Sequence, residues 1–123
     1  MLPRMDLDKY YEGILLKLEG QPVEAMEAFE AAAGDDAASA QAWNEIGLLF
    51  DDDGRSAAAE QAYEKAVSLD PGFAKAWNNW GVVYFLRGDY ALAKQKFQEA
   101  LRLDPELESA RLNLADVEDE LRR

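Results

Sequence analysis

A repeat of 34 residues runs through this chain and constrains its fold more than any other feature. Three glycines, Gly13, Gly47 and Gly81, lie at this spacing. A second glycine row, two alanine rows and an aromatic row share it: Gly20, Gly54 and Gly88; Ala25, Ala59 and Ala93; Ala32, Ala66 and Ala100; Phe29, Tyr63 and Phe97. Such a period indicates stacked copies of one small unit, because each copy can bury its apolar face only against its neighbours.

Each copy has the apolar spacing of two amphipathic helices. In the third copy Trp77, Trp80 and Tyr84 recur at three- and four-residue intervals, and Ala93 and Phe97 do the same further along. Neither helix could stand alone, because each needs a partner for its apolar face. Every copy is therefore expected to be a pair of packed helices.

Glycine and proline mark the boundaries of these helices. Glycine readily adopts the left-handed conformation that ends a helix, and Pro22 suits a helix start. A residue before proline is disfavoured in a helix, and an aspartate at that position can cap the next helix. The predicted turns contain Gly20, Gly54 and Gly88, and the predicted breaks between copies are Asp70-Pro71 and Asp104-Pro105.

With these residues in place, the chain resembles the tetratricopeptide-repeat (TPR) family. The third copy carries the family's pattern at Trp77, Trp80, Gly81, Tyr84, Ala93, Phe97, Ala100 and Pro105. The second carries it at Trp43, Ile46, Gly47, Phe50, Ala59, Tyr63, Ala66 and Pro71. The first copy has Lys9, Glu12 and Ala37 where the family has a tryptophan, a large apolar residue and a proline, so its first helix is expected to be looser or shifted.

The resemblance implies an all-α fold, a right-handed superhelical α-solenoid with seven helices. It implies a single domain, 1–123, with repeats 6–39, 40–73 and 74–107. The remaining segment, 108–122, is predicted to be a capping helix, since Leu114, Val117 and Leu121 recur in it at helical spacing.

Composition argues against several classes of function. The chain has 25 acidic and 13 basic residues, a net charge of −12, which repels both nucleic acid and anionic membranes. It has no cysteine or histidine, so the commonest metal ligands and acid–base groups are missing. No enzyme activity, metal or cofactor is expected, and no membrane span or signal peptide is evident. A cytoplasmic location is the expectation.

One acidic segment resembles a calcium-binding loop. Asp51, Asp53, Gly54 and Glu60 match positions of an EF-hand, but Leu49 stands where the first carboxylate belongs. The repeat also predicts that Glu60 lies inside a helix. We therefore expect a solvated, acidic helix end instead of a calcium site.

By resemblance to the family, the first helix of each repeat lines an inner, concave face that binds partners. Nine residues are the predicted inner-face residues: Tyr10, Ile14, Asn44, Leu48, Lys75, Asn78, Asn79, Val82 and Asn113. Ile14, Leu48 and Val82 occupy equivalent positions and would form an apolar stripe. The alternative is that such side chains pack against neighbouring helices, which is the expectation for Phe85 and Leu86.

The asparagines suggest contact with a peptide backbone. Asn44 is equivalent to Asn78, and Asn79 to Asn113, and each amide can both donate and accept hydrogen bonds. The alternative is that they are solvated on a helix face. The clamp of lysine, asparagine and arginine with which some TPR adaptors hold the carboxylate of a chaperone tail is not matched, so an acidic tail is not the expected ligand.

These features predict a protein-interaction adaptor or scaffold that binds a peptide or segment of a partner protein. Two alternatives stay open. One is self-association, in which one copy receives the N-terminal segment or the capping helix of the next. The other is a small acidic secretion-type chaperone, a class that is also built of three TPRs.

Overall fold

The computed structural model describes residues 5–34 and 39–123. Ala37, which stands in place of the family's proline, and the N-terminal segment up to residue 4 lie outside these ranges. The described residues form seven α-helices and no strands. The helices are α1 (Met5–Leu18), α2 (Pro22–Ala33), α3 (Ser39–Asp52), α4 (Ser56–Leu69), α5 (Ala74–Arg87), α6 (Tyr90–Leu103) and α7 (Glu108–Leu121). The prediction of an all-α fold with seven helices is confirmed for these residues. α1 and α3 start and end 34 residues apart, so the first helix is not shifted relative to the repeat.

The helices group into two compact units, one ending at Leu69 and the other beginning at Asp70. In the first unit α1 packs on α2, α2 on α3 and α3 on α4. In the second, α5 packs on α6, and α7 packs on both α6 and α5. The position of α7 is that of the predicted capping helix. The proposed single domain stays a prediction.

An aromatic ring packs over a glycine in each helix pair. In the third pair, a Cβ atom added at Gly81 would lie 2.5 Å from Cε1 of Phe97, and Phe97 is buried. Equivalent contacts join Gly47 to Tyr63 and Gly13 to Phe29. Two of the 34-residue rows are thus two sides of one contact, in which the missing side chain makes room for the ring.

The turn glycines behave as the sequence predicts. Gly20, Gly54 and Gly88 have φ angles of +76°, +74° and +85°, a region that side chains with a Cβ disfavour. Pro22 is the first residue of α2. Each helix pair is therefore closed by a left-handed residue shortly before the second helix begins.

The aspartates before proline act differently from the expectation. Oδ1 of Asp70 accepts the backbone N–H of Gly72 at 3.1 Å, and Asp104 accepts that of Glu106 at 3.1 Å. The residues that precede α5 and α7 are Phe73 and Leu107, which offer no side-chain cap. The carboxylates thus stabilise the turn and do not cap the next helix.

Tryptophan and proline of the repeat are joined by a hydrogen bond. Nε1 of Trp77 donates to the carbonyl oxygen of Pro71 at 2.9 Å, so the indole secures the turn that precedes its own helix. Trp77 also stacks on Trp80, with 5.6 Å between ring centroids.

No helix within the described ranges is both long and apolar enough to cross a bilayer.

Candidate functional site

Four predicted inner-face residues lie in the first unit, on α1 and α3. Tyr10 and Ile14 are half-buried and pack against the core cluster that contains Phe29. Leu48 is also half-buried, whereas Asn44 is buried. The apolar members of the set therefore combine a packing role with a surface that a ligand could reach.

An ion pair connects α1 to α3 on this unit. Nζ of Lys17 lies 2.8 Å from Oε1 of Glu45, and both side chains are largely shielded from solvent. Burial, followed by the charge of Glu45, raises the pKa of the Tyr10 hydroxyl above its ordinary value. Tyr10 accordingly stays a neutral hydrogen-bond donor and acceptor at physiological pH.

The second unit joins three polar side chains in a network between α5 and α7. Nδ2 of Asn78 donates to Oγ of Ser109 at 3.2 Å, and Nδ2 of Asn113 donates to Oδ1 of Asn78 at 3.0 Å. Asn78 is buried, with 6% of its surface exposed. It is therefore not solvated on a helix face, and its amide holds the capping helix against α5.

This network changes what the asparagines can offer a peptide. Asn78 already uses both the donor and the acceptor side of its amide inside the unit. Asn79 and Asn113 are half-buried, and Lys75 is exposed on the first turns of α5. On α5, Lys75 and Asn79 are therefore accessible to a ligand, whereas Asn78 is buried and bonds to α7.

The apolar residues near the end of α5 are placed differently from one another. Val82 and Phe85 are half-buried and pack against the core of Ala93, Phe97 and Val117. Packing was also expected for Leu86, and this is wrong: Leu86 is 77% exposed. It lies one residue before the end of α5, where no helix of this unit covers it. Leu86 therefore belongs to the accessible surface.

The acidic end of α3 is not a calcium-binding loop. Glu60 lies in α4, as the repeat predicted, and no group of three or more carboxylates in the described part of the chain is arranged to hold a metal ion. Asp51 was expected to be solvated, but its Oδ2 accepts a hydrogen bond from the buried Tyr63 hydroxyl at 2.6 Å. Asp52 and Asp53 are exposed, as expected.

We expect Asp51→Asn to stabilise the protein at neutral pH. Burial raises the pKa of Asp51, the hydrogen bond from Tyr63 partly opposes this, and the charge of Asp52 adds to it. The pKa of the Asp51 carboxyl is therefore higher in the folded protein than in the unfolded chain. Folding stability is lost as the pH rises from the unfolded pKa through the folded pKa, because the carboxylate becomes charged in the folded protein. Asparagine keeps an acceptor for Tyr63 without the charge.

Urea unfolding at pH 7 and at about pH 3.5 tests this, since the advantage of Asp51→Asn should shrink once the wild-type carboxyl is protonated. Asp53→Asn, which removes a charge from an exposed side chain of the same turn, is the matched control and should have the smaller effect. A variant less stable than wild type at pH 7 would contradict the prediction.

The sequence patterns did not indicate a groove that lies within the first unit. It lies between α2, the end of α3 and the turn after α3, and its volume is about 720 Å³. Val23, Met26 and Phe50 contribute apolar side chains to it. The available signal was a departure from the repeat: the positions equivalent to Met26 are Glu60 and Lys94.

Comparison with known proteins supports the repeat assignment. Residues 40–73 and 74–107 each match a family model described as "Tetratricopeptide repeat". No curated protein sequence matches the chain significantly.

Solved TPR structures have the same fold. The first TPR domain of Spaghetti (RPAP3) bound to the HSP90 peptide SRMEEVD superposes with a TM-score of 0.89 at 20% identity, covering 98% of this chain and 95% of that one. The second TPR domain of human RPAP3, in complex with the HSP70 peptide SGPTIEEVD, gives 0.82 at 23% identity, covering 93% and 95%. The Sgt2 TPR domain from Aspergillus fumigatus gives 0.88 at 17% identity, covering 98% and 81%. The predicted α-solenoid class is thereby confirmed.

Proposed function

This chain belongs to the tetratricopeptide-repeat family, and on that premise we propose that it is a protein-interaction adaptor that binds a peptide segment of a partner protein. The segment contacts the first helices of the repeats, through the predicted inner-face residues of each unit. The observation that carries the proposal is the partial burial of Ile14, Leu48 and Val82. These three apolar side chains occupy one repeat position and are all half-buried, neither lost in the core nor fully exposed.

Half-buried apolar side chains suit peptide binding for an energetic reason. They are already ordered by the core on one side, so a ligand that covers the other side gains apolar contact with little further loss of side-chain entropy. Lys75 and Asn79 lie on the same helix as Val82 and supply polar groups for the backbone of the ligand. Apolar contact thus provides affinity and polar contact provides orientation.

The ligand class differs from that of the two RPAP3 domains, which bind acidic chaperone peptides. Counted from the first repeat, Tyr10 and Ile14 stand where a carboxylate clamp needs lysine and asparagine. Counted from the second repeat, Asn79 matches the clamp, but Ser109 and Asn113 stand where it needs cations. The net charge of −12 also opposes an acidic segment. We propose a basic or neutral segment with apolar anchors, and the association of a basic segment weakens as ionic strength rises.

We expect Leu48→Gln combined with Val82→Gln to weaken partner binding at least tenfold, because polar side chains replace two apolar contacts. Partners are captured from native extract, and the affinity of the recovered segment is measured by titration calorimetry. Circular dichroism and urea unfolding establish that each variant is folded.

The matched control is Leu92→Gln, which makes the same kind of change on α6, a second helix, at a side chain that is 42% exposed. It should leave the affinity unchanged. Equal binding by wild type and the inner-face variant, or loss of binding in Leu92→Gln, would contradict the proposal. Mass that rises with concentration and falls in the inner-face variant would favour self-association instead.

A further inference from the structure

The groove between α2 and the end of α3 combines an apolar floor with an acidic rim. Met26 and Phe50 are half-buried on the floor, and Leu49 is buried beneath them. Val23 lies at the edge of the groove with 67% of its surface exposed. The volume of the groove, about 720 Å³, falls within the range typical of ligand sites. Its lining therefore offers apolar contact that the fold itself leaves uncovered.

The repeat does not require an apolar residue at the positions of Val23 and Met26. The positions equivalent to Val23 are Ala57 and Ala91, and those equivalent to Met26 are Glu60 and Lys94. These residues lie in regular second helices, α4 and α6, so a small or charged side chain is compatible with the helix pair. Phe50 differs, because it occupies a position of the repeat pattern, and both Met26 and Phe50 pack against the core on one side.

One carboxylate of the acidic rim, Asp52, replaces an apolar residue of the other copies. Asp52, at the end of α3, is equivalent to Leu18 and Leu86 in the other first helices. A carboxylate at a helix C-terminus is unfavourable, because it faces the negative end of the helix dipole. Asp52 therefore carries an electrostatic cost that leucine avoids. Local choices that oppose folding are typical of functional surfaces.

Charges around the groove sum to an attraction for cations. Four carboxylates line it, from Glu27, Glu30, Asp52 and Asp53. Of the two cations there, Lys17 is paired with Glu45 at 2.8 Å, and the guanidinium of Arg55 lies over the Phe50 ring, 5.1 Å from its centroid. The rim is therefore negative beside an apolar floor.

We propose that this groove is a second docking surface, separate from the inner face, for a basic amphipathic segment of a partner protein. Apolar side chains of the segment cover Val23, Met26 and Phe50. Its lysines and arginines lie against the carboxylates of α2 and of the end of α3. Complementary charge and apolar contact together select this occupant over an acidic or purely polar peptide.

The test uses two synthetic amphipathic helices of about four turns, one of leucine and lysine and one of leucine and glutamate. Binding to the full chain is measured by fluorescence anisotropy at low and at physiological salt. In the Leu48→Gln, Val82→Gln variant, whose inner face is disabled, we expect saturable one-to-one binding of the lysine helix, weakened by salt, and no binding of the glutamate helix. Equal binding of both helices would overturn the proposal.

Variants then locate the contact. Val23→Ala with Met26→Lys places residues found at the equivalent positions Ala91 and Lys94 into α2, so the fold should be kept, and binding of the lysine helix should fall at least tenfold. Both changes are made in the Leu48→Gln, Val82→Gln background, which removes binding at the inner face, so the loss reports on the groove alone. Unchanged binding in Val23→Ala, Met26→Lys would overturn the proposal.

A charge-matched pair separates local from overall electrostatics. Asp52→Asn with Asp53→Asn and Glu106→Gln with Asp116→Asn each change the net charge from −12 to −10, and all four side chains are exposed. The first pair should weaken binding of the lysine helix several-fold more than the second. Equal weakening would mean that net charge alone attracts the peptide, and the proposal would fail. Self-association that is lost in Val23→Ala, Met26→Lys would assign the groove to a second copy and equally overturn it.

Discussion

Gly81→Ala is expected to destabilise the protein by about 3 kcal/mol, although alanine favours helix over glycine. The added Cβ would lie 2.5 Å from Cε1 and 2.6 Å from Cδ1 of Phe97, and 3.2 Å from Cβ of Lys96. The ring is buried between α5 and the rest of its unit and has no open space to enter. The two helices must therefore separate or the ring must leave its favoured rotamer. Urea unfolding measures the loss.

The matched control is Gly34→Ala. Gly34 has a φ of −77°, and the atom nearest to an added Cβ is the carbonyl oxygen of Ala31 at 3.7 Å. The free energy of unfolding of Gly34→Ala should be unchanged or slightly higher, because alanine allows the unfolded chain fewer backbone conformations than glycine does. Equal effects at Gly34 and Gly81 would contradict the steric explanation.

A double variant identifies the ring as the cause. Phe97→Leu removes the aromatic atoms that the new Cβ would meet, so Gly81→Ala in that background should cost clearly less than in wild type. The coupling free energy is expected to be about 1 kcal/mol or more. Additive effects would show that the clash lies elsewhere on α6.

Phe29→Ala is expected to destabilise the first unit by about 3–5 kcal/mol. Phe29 is fully buried, its ring packs over Gly13 of α1, and it shares a core cluster with Ile46, Leu49 and Ala62. Its ring also lies 5.9 Å from that of Tyr10, measured between centroids. Truncation leaves a cavity at the centre of the cluster and removes the support of one predicted inner-face residue.

Leu18→Ala serves as the comparison, because Leu18 is 78% exposed and its removal should change stability by no more than about 0.5 kcal/mol. Both variants are measured by urea unfolding followed by circular dichroism. A loss below about 1 kcal/mol for Phe29→Ala would contradict the central position assigned to this ring.

The candidate inner face was less predictable from the sequence than the fold. Repeat position alone placed Asn44 and Asn78 on the inner side of their helices, yet both are buried, and Asn78 bonds to Ser109 and Asn113. Whether an amide faces a ligand or a neighbouring helix depends on what α7 presents to α5, and that is a property of packing. The same holds for Leu86, whose exposure results from its place near the end of α5.

The sequence by itself determined the helices and their turns. Those features depend on local conformation, since a residue with a φ of +85° favours glycine whatever its neighbours are. Only the tertiary structure decided which polar groups pair, as Asp51 does with Tyr63, and where apolar surface stays open, as it does around Met26. Such pairings join residues on different helices, and the spacing of residues along one helix cannot specify them.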